Sequence, residues 1–154
     1  MKRLPKLHYP FSKGVTLIEM LVVISLLSVM TFPIIITYRN SRSQQALRSS
    51  SEQLADHIRT THIFARESKD KKGWGIVSTG PSSYALAAGT LNNHTLDLVY
   101  SLEQDITFVN GFSIWFDQGS GNTENPVSVE LTNAAQKKIK IDVLKSGTVE
   151  VNSK

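Results

Sequence analysis

The chain has 154 residues, with 17 Lys and Arg against 13 Asp and Glu, a formal net charge of +4, and no cysteine. The missing cysteine excludes disulfides, thiolate metal sites and Cys nucleophiles together, so the soluble part must be held by its own core. The basic balance sits at one end: Lys2, Arg3, Lys6 and Lys13 precede Gly14, and removing those four leaves 13 cations against all 13 carboxylates. Neutrality beyond Gly14 excludes any general electrostatic case for a nucleic-acid partner.

Val15 to Ile36 is a run of 22 residues with one charge, Glu19. About 20 apolar residues suffice to cross the hydrocarbon core as a helix. A cleaved secretory signal would carry a small-residue site after the apolar stretch. Here Thr37-Tyr38-Arg39-Asn40-Ser41-Arg42 follows instead, which favours an anchor. The basic residues before the run place that end in the cytoplasm. Glu19 is anomalous, because a carboxylate near the start of an apolar helix costs about 2.5 to 3.5 kcal/mol on insertion scales and calls for a partner. None of the next seventeen residues offers one.

Lys13-Gly14-Val15-Thr16-Leu17-Ile18-Glu19, followed by the apolar run, resembles the class III signal of type IV pilins and type II secretion pseudopilins. The resemblance implies cleavage between Gly14 and Val15 by a prepilin peptidase that also methylates the new amine of Val15. It makes Glu19 the fifth mature residue, paired during assembly with the amine of a neighbouring subunit. The chemistry is readable in the residues as well. Gly14 lets an extended backbone approach a protease closely. Cleavage would create an amine of pKa about 7.7 to 8 at the helix tip, and Val15 and Glu19 are i and i+4 on one helix face.

Helical spacing continues past the run. Leu47, Leu54, Ile58, Thr61 and Ala65 form an apolar stripe, and Arg48, Glu52, Asp56, Arg59, Arg66 and Glu67 occupy the other face. Lys69-Asp70-Lys71-Lys72-Gly73 reads as the stop. One helix over 16–69 would be about 80 Å long. Pro33 predicts a kink, and the serines between 41 and 51 predict a weak or bent stretch near 38–45, with a linker there as the alternative.

From Trp74 the apolar period becomes two. Strands are expected at 74–79, 83–88, 96–101, 105–109, 112–117, 127–132, 138–144 and 147–152. Phe112/Ile114/Phe116, Val127/Val129/Leu131 and Ile139/Ile141/Val143 each mark a buried face, which the helical stripe is there to cover. Asn110-Gly111 between apolar runs predicts a hairpin, and Lys145-Ser146-Gly147 a second. This layout resembles the minor-pseudopilin group typed by GspH and FimT.

Other chemistry finds little support. His57, His62 and His94 read as surface histidines, since His57 and His62 are five apart and do not pair for a metal. Asp97, Glu103, Asp105 and Asp117 lack the alternation of a calcium loop. No catalytic residue, metal or cofactor is expected. Lys137, Lys138, Lys140 and Lys145 are the candidate nucleic-acid contacts, because some FimT-like proteins bind DNA during transformation. Interleaved Asp142 and Glu150, and no aromatic residue over 137–154 to stack on bases, favour an ordinary charged sheet edge over nucleic acid.

The expected fold class is α+β: a long N-terminal helix, membrane-spanning in its first half, packed on an antiparallel β-sheet domain of seven or eight strands. Residues 1–14 would be a leader, 15–36 a transmembrane helix, 37–72 an amphipathic helix and 73–154 a β-rich globular domain. The resemblance implies a structural, non-enzymatic subunit in a bacterial cytoplasmic membrane, single-pass with its N-terminus cytoplasmic. After assembly it would lie in an extracytoplasmic pilus or pseudopilus. The implied partners are the prepilin peptidase/methyltransferase, other pilin or pseudopilin subunits, the inner-membrane assembly platform and the lipid bilayer.

Overall fold

The structure, a computed structural model, describes residues 14–153, the side chains of 31–36 and of Ser153 excepted. The leader expected at 1–14 thus falls outside the described residues apart from Gly14. One helix, α1 (Leu17–Arg66), is followed by a short 3₁₀ turn (Lys69–Lys71) and eight strands. These are β1 (Trp74–Ser78), β2 (Ser83–Thr90), β3 (Asn93–Ser101), β4 (Ile106–Phe108), β5 (Ser113–Phe116), β6 (Val127–Asn133), β7 (Lys138–Val143) and β8 (Val149–Ser153). The chain divides into two compact units, one ending at Tyr38 and the other starting at Arg39.

In the first unit the described side chains of α1 between Glu19 and Met30 are apolar apart from Ser25 and Ser28, and they are exposed on every face, Met20, Leu27 and Met30 among them. The two serines in this stretch satisfy themselves locally: Ser25 Oγ donates to the Leu21 carbonyl and Ser28 Oγ to that of Ile24, both at 2.8 Å. A helix apolar all round needs lipid or protein on all sides, and hydroxyls bonded back to their own helix suit that need. Among the described residues no helix is long and apolar enough to cross a membrane; the expected span 15–36 lies partly outside them.

The second unit is α+β, with the helix packed on antiparallel sheets. The stripe Leu47, Leu54, Ile58, Thr61 and Ala65 is buried throughout and joins Trp74, Ile76, Leu86, Ile114, Phe116, Val129, Leu131, Ile141 and Val143 in one core. Helix periodicity and strand alternation therefore meet in the same layer. The eight strands do not form a single sheet. They form two four-stranded antiparallel sheets, ordered β3-β2-β1-β5 and β4-β6-β7-β8.

Two local expectations are corrected. Asn110-Gly111 does not close a hairpin, because β4 pairs with β6 and β5 pairs with β1. The segment is a crossing between sheets. Val109 N–H donates to Glu130 O in one sheet, and Phe112 accepts from Ser78 N–H in the other, both at 2.9 Å. Neither residue has the positive φ that a type I′ turn requires. Nor is there a linker near 38–45, since α1 runs unbroken through this stretch and through Pro33. Two of the serines are small contact residues: Ser50 and Ser51 are fully buried, and Ser50 Oγ accepts the Glu103 N–H at 3.2 Å. The hairpin at Lys145-Ser146-Gly147 does form, joining β7 to β8.

The edge strand β3 begins three residues earlier than the alternation suggests, because Leu91 and Asn92 turn β2 directly into it. Its Leu96, Leu98 and Val99 are exposed.

Candidate functional site

Thr16-Leu17-Ile18-Glu19 folds as a reciprocal cap at the start of α1. Thr16 N–H and Thr16 Oγ1 donate to Glu19 Oε2, at 2.9 and 3.0 Å, and Glu19 N–H donates to Thr16 Oγ1 at 3.3 Å. This is a capping box, in which a Thr at the N-cap and a Glu three residues on satisfy each other's backbone donors. The absence of a partner for Glu19, read from the residues after it, is corrected here, because the partner precedes it. The T-x-x-E spacing could have revealed this. The cap needs nothing before Thr16, and it holds the carboxylate at the helix tip beside Val15. Glu19 Oε1 makes no hydrogen bond among the described residues.

Gly14 and Val15 are exposed and stand before the first helical turn. A protease can reach an exposed segment outside a helix; it cannot cut one still wound in it. The bond expected to be cut is thus outside the regular structure by two residues.

The four lysines do not gather. Lys138 Nζ lies 3.5 Å from Glu130, and Lys140 Nζ lies 2.8 Å from Asp142. That contact, and a hydrogen bond from Ser128, hold the Asp142 carboxyl below the usual carboxylate range. Lys137 stands just before β7 and Lys138 begins it, whereas Lys145 sits past its other end at the turn to β8. Nine residues of near-extended chain can separate them by about 26 Å.

Lys137 and Lys138 belong instead with the helix. Asn133, almost fully buried, closes the β6–β7 turn by accepting the Lys137 N–H at 2.9 Å through Oδ1. Its Nδ2 donates to the Ser43 carbonyl of α1 at 3.4 Å. One amide side chain therefore fixes both lysines against the helix near Gln44.

The histidines on α1 are packed, not merely at the surface. His57 Nδ1 is 2.8 Å from the Tyr84 hydroxyl, and its ring lies 4.0 Å from that of Tyr100. Burial pushes the Tyr84 hydroxyl well above its ordinary value, with Tyr100 adding to the effect, so it stays a neutral donor. Burial lowers the His57 imidazole against a smaller opposing pull from Asp56. His62, beside the Phe116 ring, is lowered by burial first and Arg66 second. A base with a depressed folded pKa binds fewer protons folded than unfolded. Its stabilisation is full above the unfolded value of about 6.5 and is lost as pH falls through that value toward the folded one. The thermal midpoint is therefore expected to drop on acidification from about pH 7 to about pH 5.5, with a shallower drop in His57→Gln. Melts at the two pH values decide this; a midpoint indifferent to pH overturns it. Among the described residues no group of three or more His, Cys, Asp and Glu could hold a metal.

A long N-terminal helix with a capped carboxylate at its tip, followed by an α+β unit of two antiparallel sheets, is a pilin-like fold. Residues 11–35 match the model of the prokaryotic N-terminal methylation motif. Two solved structures of the minor pseudopilin EpsH from the Type 2 Secretion System of Vibrio cholerae share the fold. One has a TM-score of 0.54 at 11% identity, over 70% of this chain and 96% of that one. The other has a TM-score of 0.50 at 14% identity, over 72% and 95%. No curated protein matches the chain in sequence. The chain thus joins a prepilin methylation motif to the fold of a GspH-type minor pseudopilin.

Proposed function

We propose that the chain is a structural, non-enzymatic subunit, and a minor one, of a type II secretion pseudopilus or type IV pilus. The observation that carries this reading is the tip of α1: an exposed Gly14-Val15 bond, a capped Glu19 and an uncharged, mostly apolar surface behind it, in register with the methylation motif. Prepilin peptidase cuts between Gly14 and Val15 and methylates Val15. Residues 15–36 stay in the cytoplasmic membrane, with the leader on the cytoplasmic side and the unit from Arg39 outside. Glu19 then accepts the amine of a neighbouring subunit as the platform feeds the chain into a filament.

Intact-mass measurement of the protein from its native membrane tests the processing step. The expected species begins at Val15 and is heavier by one methyl group than the unmodified chain. A species that retains Met1, or one cut after Ile36, overturns the reading.

A further inference from the structure

Beside the Asn133 turn, a groove of about 480 Å³ opens between α1 and the start of β7. Arg48, Lys137 and Lys138 reach it, Gln44 and Gln45 add amide donors, and Leu47 with Ile139 forms an apolar floor. A second cavity of about 270 Å³ continues it along the helix past Arg48 and Ile139 to Ser51 and Glu52.

Donors outnumber acceptors around the first cavity. Arg48 spends only its Nε on Glu52, at 3.0 Å, and both side chains are more than half exposed. Lys138 lies at 3.5 Å from Glu130, again with an exposed amine. Exposed pairs of this kind are weak and yield to a better acceptor. Lys137 makes no ion pair among the described residues. Three cations and two amides over an apolar floor suit a multi-oxygen anion that carries an apolar body, and a phosphate diester is the simplest such group.

Position says where that phosphate comes from. Gln44 follows Ile36 by eight residues, with Arg39 and Arg42 between them. Eight residues span at most about 28 Å, so the chain keeps the groove that close to the end of the apolar run in any arrangement of the two units. We infer that this groove binds the headgroup phosphate of an anionic phospholipid, tethering the second unit to the bilayer surface until the subunit enters a filament. The inference rests on the membrane anchor proposed above.

Lysine acylation of the full chain, reconstituted in vesicles of phosphatidylcholine with or without phosphatidylglycerol, tests it. Flotation comes first; a chain that floats with neither vesicle removes the anchor and this tether with it. With the chain inserted, phosphatidylglycerol is expected to slow modification of Lys137 and Lys138 while leaving Lys145 unchanged. Arg48→Gln should raise the phosphatidylglycerol fraction needed for half protection about fivefold, the effect of one cation near an anionic surface. Two further arms use phosphatidylcholine vesicles with inorganic phosphate or with duplex DNA. Equal protection by phosphate alone makes the ligand a free anion, and protection by DNA alone makes it nucleic acid. Either result, or equal labelling of Lys137, Lys138 and Lys145 in every arm, overturns the assignment to lipid.

Discussion

Glu19→Ala is expected to be cut and to reside in the membrane as the wild type does, yet to be absent from assembled filament. In the proposed processing, cleavage depends on Gly14 and the basic leader, and removing a charge from an apolar helix favours insertion. What disappears is the acceptor for a neighbour's amine, and a charge left unpaired in a low-dielectric site costs about 3 to 5 kcal/mol. The capping box adds a complication, because Glu19→Ala also uncaps α1, at about 0.5 to 2 kcal/mol. Thr16→Ala separates the two effects: it breaks the hydroxyl bonds to Glu19 but keeps the carboxylate. Glu19→Gln keeps an acceptor for the Thr16 N–H and loses the charge. The expected order of assembly is wild type, then Thr16→Ala, then Glu19→Gln, then Glu19→Ala. Paired blots for the processed form and for sheared filament or co-purified subunits measure it. Should Thr16→Ala assemble as poorly as Glu19→Ala, the carboxylate acts as a helix cap and not as a partner for the amine.

Gly147→Ala is expected to destabilise the second unit by about 3 kcal/mol, combining left-handed backbone strain with overpacking. Gly147 closes the β7–β8 hairpin at φ +80°, with its N–H donating to the Leu144 carbonyl at 2.9 Å. A Cβ there would collide with the His62 ring and fall 2.8 Å from the Gly121 carbonyl. His62→Ala should relieve the ring contact and not the φ, so the double variant should lose less than the sum of the two singles. Denaturant unfolding of the four proteins yields the coupling directly. Strict additivity would mean that the ring moves aside without cost and that strain alone accounts for the loss.

The sequence made the class of fold legible because its two periods are clean. Leu47 to Ala65 at helical spacing and Ile139/Ile141/Val143 at strand spacing each need one buried face, and they bury each other's. All eight strands lie close to where alternation placed them. Asn110-Gly111 misled because a turn dipeptide reports local propensity, whereas the strands it joins are chosen by distant partners: Glu130 for Val109 and Ser78 for Phe112. Ser50 and Ser51 stay helical despite their low propensity, because small buried side chains let Glu103 approach. At the tip of α1, Glu19 stands out in the sequence as a charge in an apolar run, while its local partner Thr16 lies on its N-terminal side and is marked only by the T-x-x-E spacing. The lysines formed a run in sequence, yet a β-strand spreads such a run along its length. Only the first two meet the helix, through an asparagine whose role no spacing announces.

The crossing at Val109–Phe112 also governs how the chain can be made. Because β4 is committed to one sheet before β5 returns to the other, neither sheet is a contiguous stretch of polypeptide. As the protein emerges from its N-terminus, β1, β2 and β3 can zip together at once. β4 must wait for β6, which is synthesised about twenty residues later. No nick or truncation after Phe116 could release a self-sufficient half, and a stalled chain would display β4 with its backbone unpaired. The second unit should therefore be acquired in a single late step, completed when β6 and β7 arrive, and lost in a single step on unfolding.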